Sequence, residues 1–431
     1  MKKTLLLSVV ASTMIMAGGD IAPVEPVVAA PVEAAAWNFN GQAVAYIQTT
    51  DEQGNSDLFS GSSTYGSLGL QLGATNADVF AGIGAGVEVS TIQQDEGFSQ
   101  IPGTGVGNAQ VDSSALTQAY LTYGLDNINT SFKVGRQTLP KSLSPFAFSE
   151  GWQVFNNTFD AALVVNSSIP NTTAVYAYVT KHNNSVGDIS DFNRFWDADG
   201  VHMITLSNKS IEGLTLTGSY YMLPDATKNL VVNGGDADAY WIDAQYDGFD
   251  AFTIAAQGGG IDADGLWLGQ SIDDVTAFGA KISGKVSMFN LAVAYSSVSD
   301  GNGPLTISNL AGAGVKTPLY TQSILNQNAI KKDSDTVKAS ASMKALAGTI
   351  GLHYIYADMG ADAIGSVFNN GNADDLTQGV SGDGEYTEVD LTYKTKVFDD
   401  STTLFAGYVY QDDDRLTDSQ NFLRFWARYN F

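Results

Sequence analysis

There is no cysteine among the 431 residues, so disulfides and thiolate metal sites are excluded whatever the compartment. Basic residues are scarce: 21 Lys and Arg stand against 46 Asp and Glu, a net charge of −25. A nucleic-acid surface needs many Lys and Arg to neutralise phosphates, so that partner is excluded, and anionic solutes are disfavoured. Charged residues of both signs make up only 16% of the chain, beside 45 glycines, 21 phenylalanines and 19 tyrosines. That balance is unusual for a soluble acidic domain. Long apolar runs are missing as well. After Leu5 to Ala17 nothing approaches the roughly 20 apolar residues of a membrane-spanning helix. A chain of this kind can cross a membrane only as a closed barrel, where strands satisfy one another's backbone groups.

The N-terminus reads as an export signal. Lys2 and Lys3 precede the apolar run, and Ala17, Gly18 and Gly19 follow it, the order of a cleavable secretory leader over residues 1–19. Its removal leaves 19 basic residues and a charge of about −27. Residues 20–36 (DIAPVEPVVAAPVEAAA) have no period and read as an extended periplasmic lead-in. The domain proper is expected over 37–431.

From Trp37 onward the chain alternates with a period of two, the mark of strands with one apolar and one polar face. The last segment, NFLRFWARYNF, shows it best. Leu423, Phe425, Ala427, Tyr429 and Phe431 share one parity, and Arg424, Trp426, Arg428 and Asn430 the other. A terminal Phe behind alternating aromatics fits the closing strand of a transmembrane barrel. Eighteen such segments can be counted. Every second junction is tight: Thr75–Asp78, Leu125–Ile128, Ser168–Asn171, Asn208–Ser210, Asp247–Asp250, Val286–Phe289, Ala345–Ala347 and Val397–Ser401. The others are long, such as Ile92–Ser114, Leu139–Thr158, Ser299–Asp335 and Met359–Gly384. Short turns alternating with long loops is the layout of an outer-membrane barrel, whereas a sandwich with Greek-key crossings would mix them. The expected fold is therefore an all-β, antiparallel transmembrane barrel of about 18 strands, with short periplasmic turns and long extracellular loops. At that size it encloses an aqueous channel unless a loop fills it. The GIGAG run at Gly82–Gly86 opens no helix, so small inward wall residues are the better reading than a phosphate loop.

The third long loop, Leu139 to Asp160, is far less acidic than its fellows and carries Phe146, Phe148, Trp152, Phe155 and Phe159. A loop in water has no use for five aromatics, so it is expected to fold into the lumen; packing under neighbouring loops or across a subunit interface is the alternative. The run VGRQTLPKSLSPFAFSEGWQVFNNTFDAALV, residues 134–164, resembles the Opr-family porins of epsilon-class proteobacteria, as do the leader region and the start WNFNGQAVAYIQTT. That family is similar to the major outer-membrane porins of Campylobacter relatives and, more distantly, to OprD-type specific channels. The resemblance covers the whole chain, the long loops after Ser299 and Met359 being undistinctive. It implies an eighteen-stranded, trimeric, water-filled channel in the outer membrane, and names no solute. A ladder of basic residues associated with OprD-type lumens has no residue-by-residue match here.

Parity assigns Glu88, Lys133, Asp160, Asp243, Lys281, Lys338, Lys344, Glu388, Asp390, Arg424 and Arg428 to the lumen. With about 3.3 Å per residue and a tilt of about 40°, Arg424 stands roughly 18 Å above Phe431, at the height where an inward loop would narrow the channel. It is the expected constriction residue, facing Lys141 and Glu150 of the third loop; Arg428 lies nearer the periplasm. Opposite charges across a narrowing would orient polar solutes, although the same charges could merely brace the wall. Arg136 has lipid parity and is expected at the rim. The acidic excess gathers in the loops (Asp188, Asp191, Asp197, Asp199, Asp236, Asp238, Asp412, Asp413, Asp414), which would enrich cations at the mouth. Clustered carboxylates could also hold calcium, but no stretch has the spacing of a calcium-binding hand. His182, His202 and His353 belong to no catalytic motif. Residues 20–36 are too short for the plug of a 22-stranded transporter. The expectation is a passive channel for ions and small hydrophilic solutes, cation-preferring, in contact with outer-membrane lipid, without enzyme activity, cofactor or metal. A non-conducting adhesive or structural barrel is the alternative.

Overall fold

The computed structural model describes residues 36–51, 57–60, 63–96, 113–151, 154–183, 189–194, 200–228, 231–310, 316–363, 382–416 and 418–431. The expected leader, the lead-in up to residue 35, Trp152, Asp188, Asp197 and Asp199 lie outside them.

Eighteen long antiparallel strands form one closed sheet. The first nine are Asn38–Thr50, Thr64–Phe80, Ile83–Glu96, Ser113–Leu125, Thr130–Gln137, Phe159–Asn166, Thr172–Asn183, Val201–Asn208 and Leu214–Leu223. The second nine are Ala237–Tyr246, Phe252–Ala263, Val275–Val286, Phe289–Val298, Ser334–Ala345, Gly348–Met359, Gly384–Val397, Thr402–Asp413 and Gln420–Asn430. Each pairs with its neighbours in sequence. The last closes on the first from Gln42↔Asn430 to Thr50↔Phe422, so no edge is left to template aggregation. Gly41 and Phe431 extend the seam by exchanging backbone hydrogen bonds of 2.8 and 3.0 Å. Gly41 is required there, because a Cβ would come within 2.6 Å of the Phe431 ring.

Side chains divide by parity as the alternation requires. On the second strand Leu68, Leu70 and Leu72 are exposed while Tyr65, Ser67 and Gly69 are covered. Outward Val87, Val89, Leu121, Leu206, Leu216, Ile242, Phe278, Leu291, Val293, Leu352 and Phe425 carry the same exposed apolar belt around the barrel. The largest apolar patch on a soluble monomer is roughly 300–600 Å²; a belt that encircles a whole barrel is a lipid-facing surface. No helix among the described residues is long and apolar enough to cross a membrane.

Seven of the eight expected tight junctions fall where the strands turn. The first does not. Thr75–Asp78 lies inside the second strand, and the turn is Ala81–Gly82, both at positive φ (52° and 84°), as a two-residue hairpin demands. Asn76 and Asp78 mimic turn residues because their side chains accept from local amides, Asp78 N and Gly82 N, at 2.9 Å each. These bonds brace an irregularity in the strand pairing between Asn76 and Phe80.

Candidate functional site: a narrowing built by two loops

The third loop enters the barrel. Phe146, Phe148, Phe155 and Phe159 are all fully buried. Phe146 stands edge-on to Tyr221 and Trp241, with ring centroids 5.7 and 5.4 Å away, on the inward faces of the ninth and tenth strands. Its backbone N–H donates to the Tyr221 hydroxyl at 3.2 Å. Further along, Val154 and Phe155 pack with Val44, Tyr46 and Ile92 of the first and third strands. Arg428 of the last strand donates to the Val154 carbonyl at 3.2 Å. The loop therefore bridges opposite walls. Gly69 provides the seat at the far wall: a Cβ there would lie 2.6 Å from Val154 Cγ1 and 2.7 Å from Phe155 Cζ.

A second loop meets it, which the sequence reading passed over. This seventh long loop, between Ser299 and Asp333, also lies inside over its described residues, with Leu305, Ile307, Leu319, Ile324, Leu325, Ala329 and Ile330 buried. Inward wall residues tie it down at several points. Tyr320 donates to Asp243 on the tenth strand. The Thr321 hydroxyl pairs with Ser296 at 2.5 Å, and Lys338 donates to the Gln322 carbonyl at 2.6 Å. Ser323 donates to Asp390, while Ile324 N and Leu325 N donate to Glu388 at 3.0 and 3.2 Å. Glu388 and Asp390 are completely buried. Glu388 is compensated by those amides and the Tyr386 hydroxyl, and Asp390 by the Ser323 hydroxyl and the charge of Lys338.

The two loops join directly. Leu310 N donates to the Phe146 carbonyl at 2.8 Å. Asn309 accepts from Phe148 N at 3.1 Å, donates to the Phe148 carbonyl at 2.9 Å, and donates to Glu150 at 2.6 Å. Lys141 donates to the Thr317 carbonyl at 2.9 Å. Burial is the main influence on the loop charges. It pushes the Glu150 carboxyl up to about 7 against the pull of Asn309, Lys316 and Lys141, and draws the Lys141 and Lys316 ammoniums down to about 8.

The structure sorts the expected lumen residues. Lys141, Asp243 and Lys281 come together around Tyr320, and Lys281 Nζ lies 5.2 Å from its ring centroid. Glu88 and Lys133 lie on the inward wall of the third to fifth strands. Glu88 accepts from Gln71, Thr117 and Gln118 at 3.0, 2.8 and 2.9 Å, and Lys133 Nζ sits 3.8 Å over the Tyr120 ring. Gly86 leaves room for that ring, which a Cβ would strike at 2.3 Å.

Two expectations are corrected. Arg424 does point inward, but it is 1% exposed. Its guanidinium lies between the Tyr46 and Phe422 rings and donates to Gln48 at 2.7 Å. Glu150, which it was expected to face, is engaged by Asn309 instead. Arg428, placed nearer the periplasm, is the arginine seen to hold the third loop. Asp160 is not a lumen residue. It pairs in register with Arg136, shares its outward parity beside exposed Val134, and forms a two-point ion pair with it at 2.7 and 3.1 Å. Buried Phe159 and Ala161 take the inward places on that strand.

The signal that revealed the third loop was also present in the one missed. In a chain with 46 acidic residues, positions 301–332 contain none. A segment without carboxylates, threaded with Ile and Leu, is as unsuited to an acidic exterior as a run of phenylalanines.

The closed barrel of eighteen antiparallel strands matches OprD-type porin barrels in fold. No family model matches the chain, and no curated protein matches it. Solved structures do. OccK8 (OprE) of Pseudomonas aeruginosa is similar at TM-score 0.66 and 13% identity, over 92% of this chain and 98% of that one. OccAB1 of Acinetobacter baumannii is similar at 0.66 and 12%, over 92% and 96%. OccK2 (OpdF) of Pseudomonas aeruginosa, in complex with glucuronate, is similar at 0.66 and 12%, over 92% and 98%. At these identities the likeness is one of fold.

Proposed function

We propose that this chain is an outer-membrane porin that passes ions and small hydrophilic solutes by passive diffusion. The observation that carries the reading is the pairing of a continuous lipid-facing belt with a lumen narrowed by two loops, one of which sets Lys141 beside wall residues Asp243 and Lys281. Such a narrowing has no use in a purely structural barrel. The same reading includes export behind a cleaved leader, residence in the outer membrane as a trimer, and kinship with the Opr-family porins of epsilon-class proteobacteria. It includes no enzymatic step.

Two fields act on a passing ion. Acidic loops enrich cations at the mouth, and we keep the cation preference on that ground. At the narrowing, Lys141 and Lys281 stand by Asp243, so an acidic group is favoured there over a neutral one. Glucuronate, held by OccK2, is the natural probe of that second field. The test is a planar bilayer with a salt gradient: stable current steps and a cation-directed reversal potential are expected, with glucuronate interrupting the current at the narrowing. Lys281→Glu should weaken that interruption and deepen the cation preference. The opposite reading, a non-conducting barrel, draws on the apolar packing around Phe146. A folded, heat-modifiable barrel that gives no current would establish it.

A further inference from the structure

The ties between the two inward loops are densest at one side chain. Asn309 is buried, and its amide serves three partners on the third loop at once: Phe148 N, Phe148 O and Glu150. It satisfies the backbone of Phe148 in both directions, as a neighbouring strand would, where no strand runs. The adjoining Leu310 N to Phe146 O bond extends the same junction. Each loop is otherwise held by a different part of the wall. The third is seated at Tyr221, Trp241 and Gly69, and the seventh at Asp243, Ser296, Lys338, Asp390 and Glu388. Lys141 reaches from the third loop to Thr317, next to Lys316 on the seventh. Lys316 is held within its own loop, its ammonium donating to the Ser323 and Ile324 carbonyls at 2.9 Å each, so where Lys141 stands against it depends on the junction between loops.

We infer that Asn309 is the positioning residue of the narrowing, a clasp that makes the two loops one body and sets where Lys141 stands against the seventh loop and Asp243. The inference rests on the porin reading for its effect on permeation, but the clasp itself can be read without any current. Truncating a buried amide with three partners leaves Phe148 N and Phe148 O unsatisfied and takes one hydrogen bond from Glu150, which keeps the Lys316 backbone. Each orphaned group then favours a loop position that water can reach.

The experiment compares wild type with Asn309→Ala, Asn309→Asp and Glu150→Gln in two assays. The first is hydrogen exchange of the folded, detergent-solubilised barrel. Asn309→Ala should speed exchange at third-loop amides around Phe148 and Ser149, although the substitution is in the seventh loop, while strand amides keep their protection. Asn309→Asp retains the acceptor for Phe148 N, loses both donors and sets a second carboxylate beside Glu150, so it should behave like Ala. Glu150→Gln keeps an oxygen for Asn309 and should stay near wild type. The second assay is single-channel recording, where both Asn309 variants should give larger, flickering currents and a shifted reversal potential. Unchanged third-loop exchange in Asn309→Ala overturns the clasp, as does wild-type current in a conducting channel. Loss of protection throughout the strands also overturns it, because Asn309 would then support the barrel as a whole. A wild-type barrel with no current removes the porin reading, and the exchange result still decides the clasp.

Discussion

Truncating Phe146 tests whether the third loop is held in the lumen by its aromatic side chains. The ring is fully buried, edge-on to Tyr221 and Trp241, yet it belongs to a loop and adds nothing to the strand ladders. Phe to Ala changes in packed sites cost about 3–5 kcal/mol. Because the barrel closes without this residue, that cost falls on docking of the loop and not on unfolding of the sheet. At about 1.4 kcal/mol per tenfold, the undocked population should rise by roughly two to three and a half orders of magnitude. The assays are single-channel recording, for larger conductance and open-channel noise, and brief proteolysis, for a new cut between Leu139 and Thr158. The heat-modifiable mobility of the barrel should not change. A Phe146→Ala barrel with wild-type current, wild-type noise and no new cut would refute the reasoning. So would a variant that fails to close as a barrel.

Three further outcomes follow from particular contacts. Gly69→Leu places a side chain where a Cβ alone already lies 2.6 Å from Val154; it should unseat the far end of the third loop and raise conductance, whereas unchanged current would mean that the loop is not seated there. Burial raises the Glu150 carboxyl from 4.5 to about 7, so the docked loop holds a proton that the released loop gives up between those values. Docking is then tightest below pH 4.5 and weakens as pH rises to 7. Channel noise should grow over that window and lose its pH dependence in Glu150→Gln; noise that falls with rising pH would reverse the sign and sink the argument. Arg136→Ala breaks a partly exposed ion pair with Asp160, an interaction worth about 1 kcal/mol or less. It should leave conductance and selectivity untouched, and a change in reversal potential would return Asp160 to the lumen.

The strands were legible because their causes are local. A residue of a barrel wall meets either lipid or lumen, and the alternation of Leu68, Leu70 and Leu72 with Ser67, Gly69 and Gln71 records that choice position by position. Turn positions were legible for a similar reason, except where Asn76 and Asp78 spent turn-forming side chains inside a strand. The inward course of the third loop could be read from phenylalanines that water would not tolerate. What the sequence could not show was partnership. Arg424 and Glu150 have the charges of a facing pair, but only the folded chain decides that one lies between Tyr46 and Phe422 and the other against Asn309, 159 residues away in the chain from Glu150. Asp160 and Arg136 likewise became partners through strand register. Alternation and loop composition are properties of neighbouring residues, so the barrel and its inward third loop were determined by sequence alone. The clasp between loops joins groups from distant segments, so only the tertiary structure decided it.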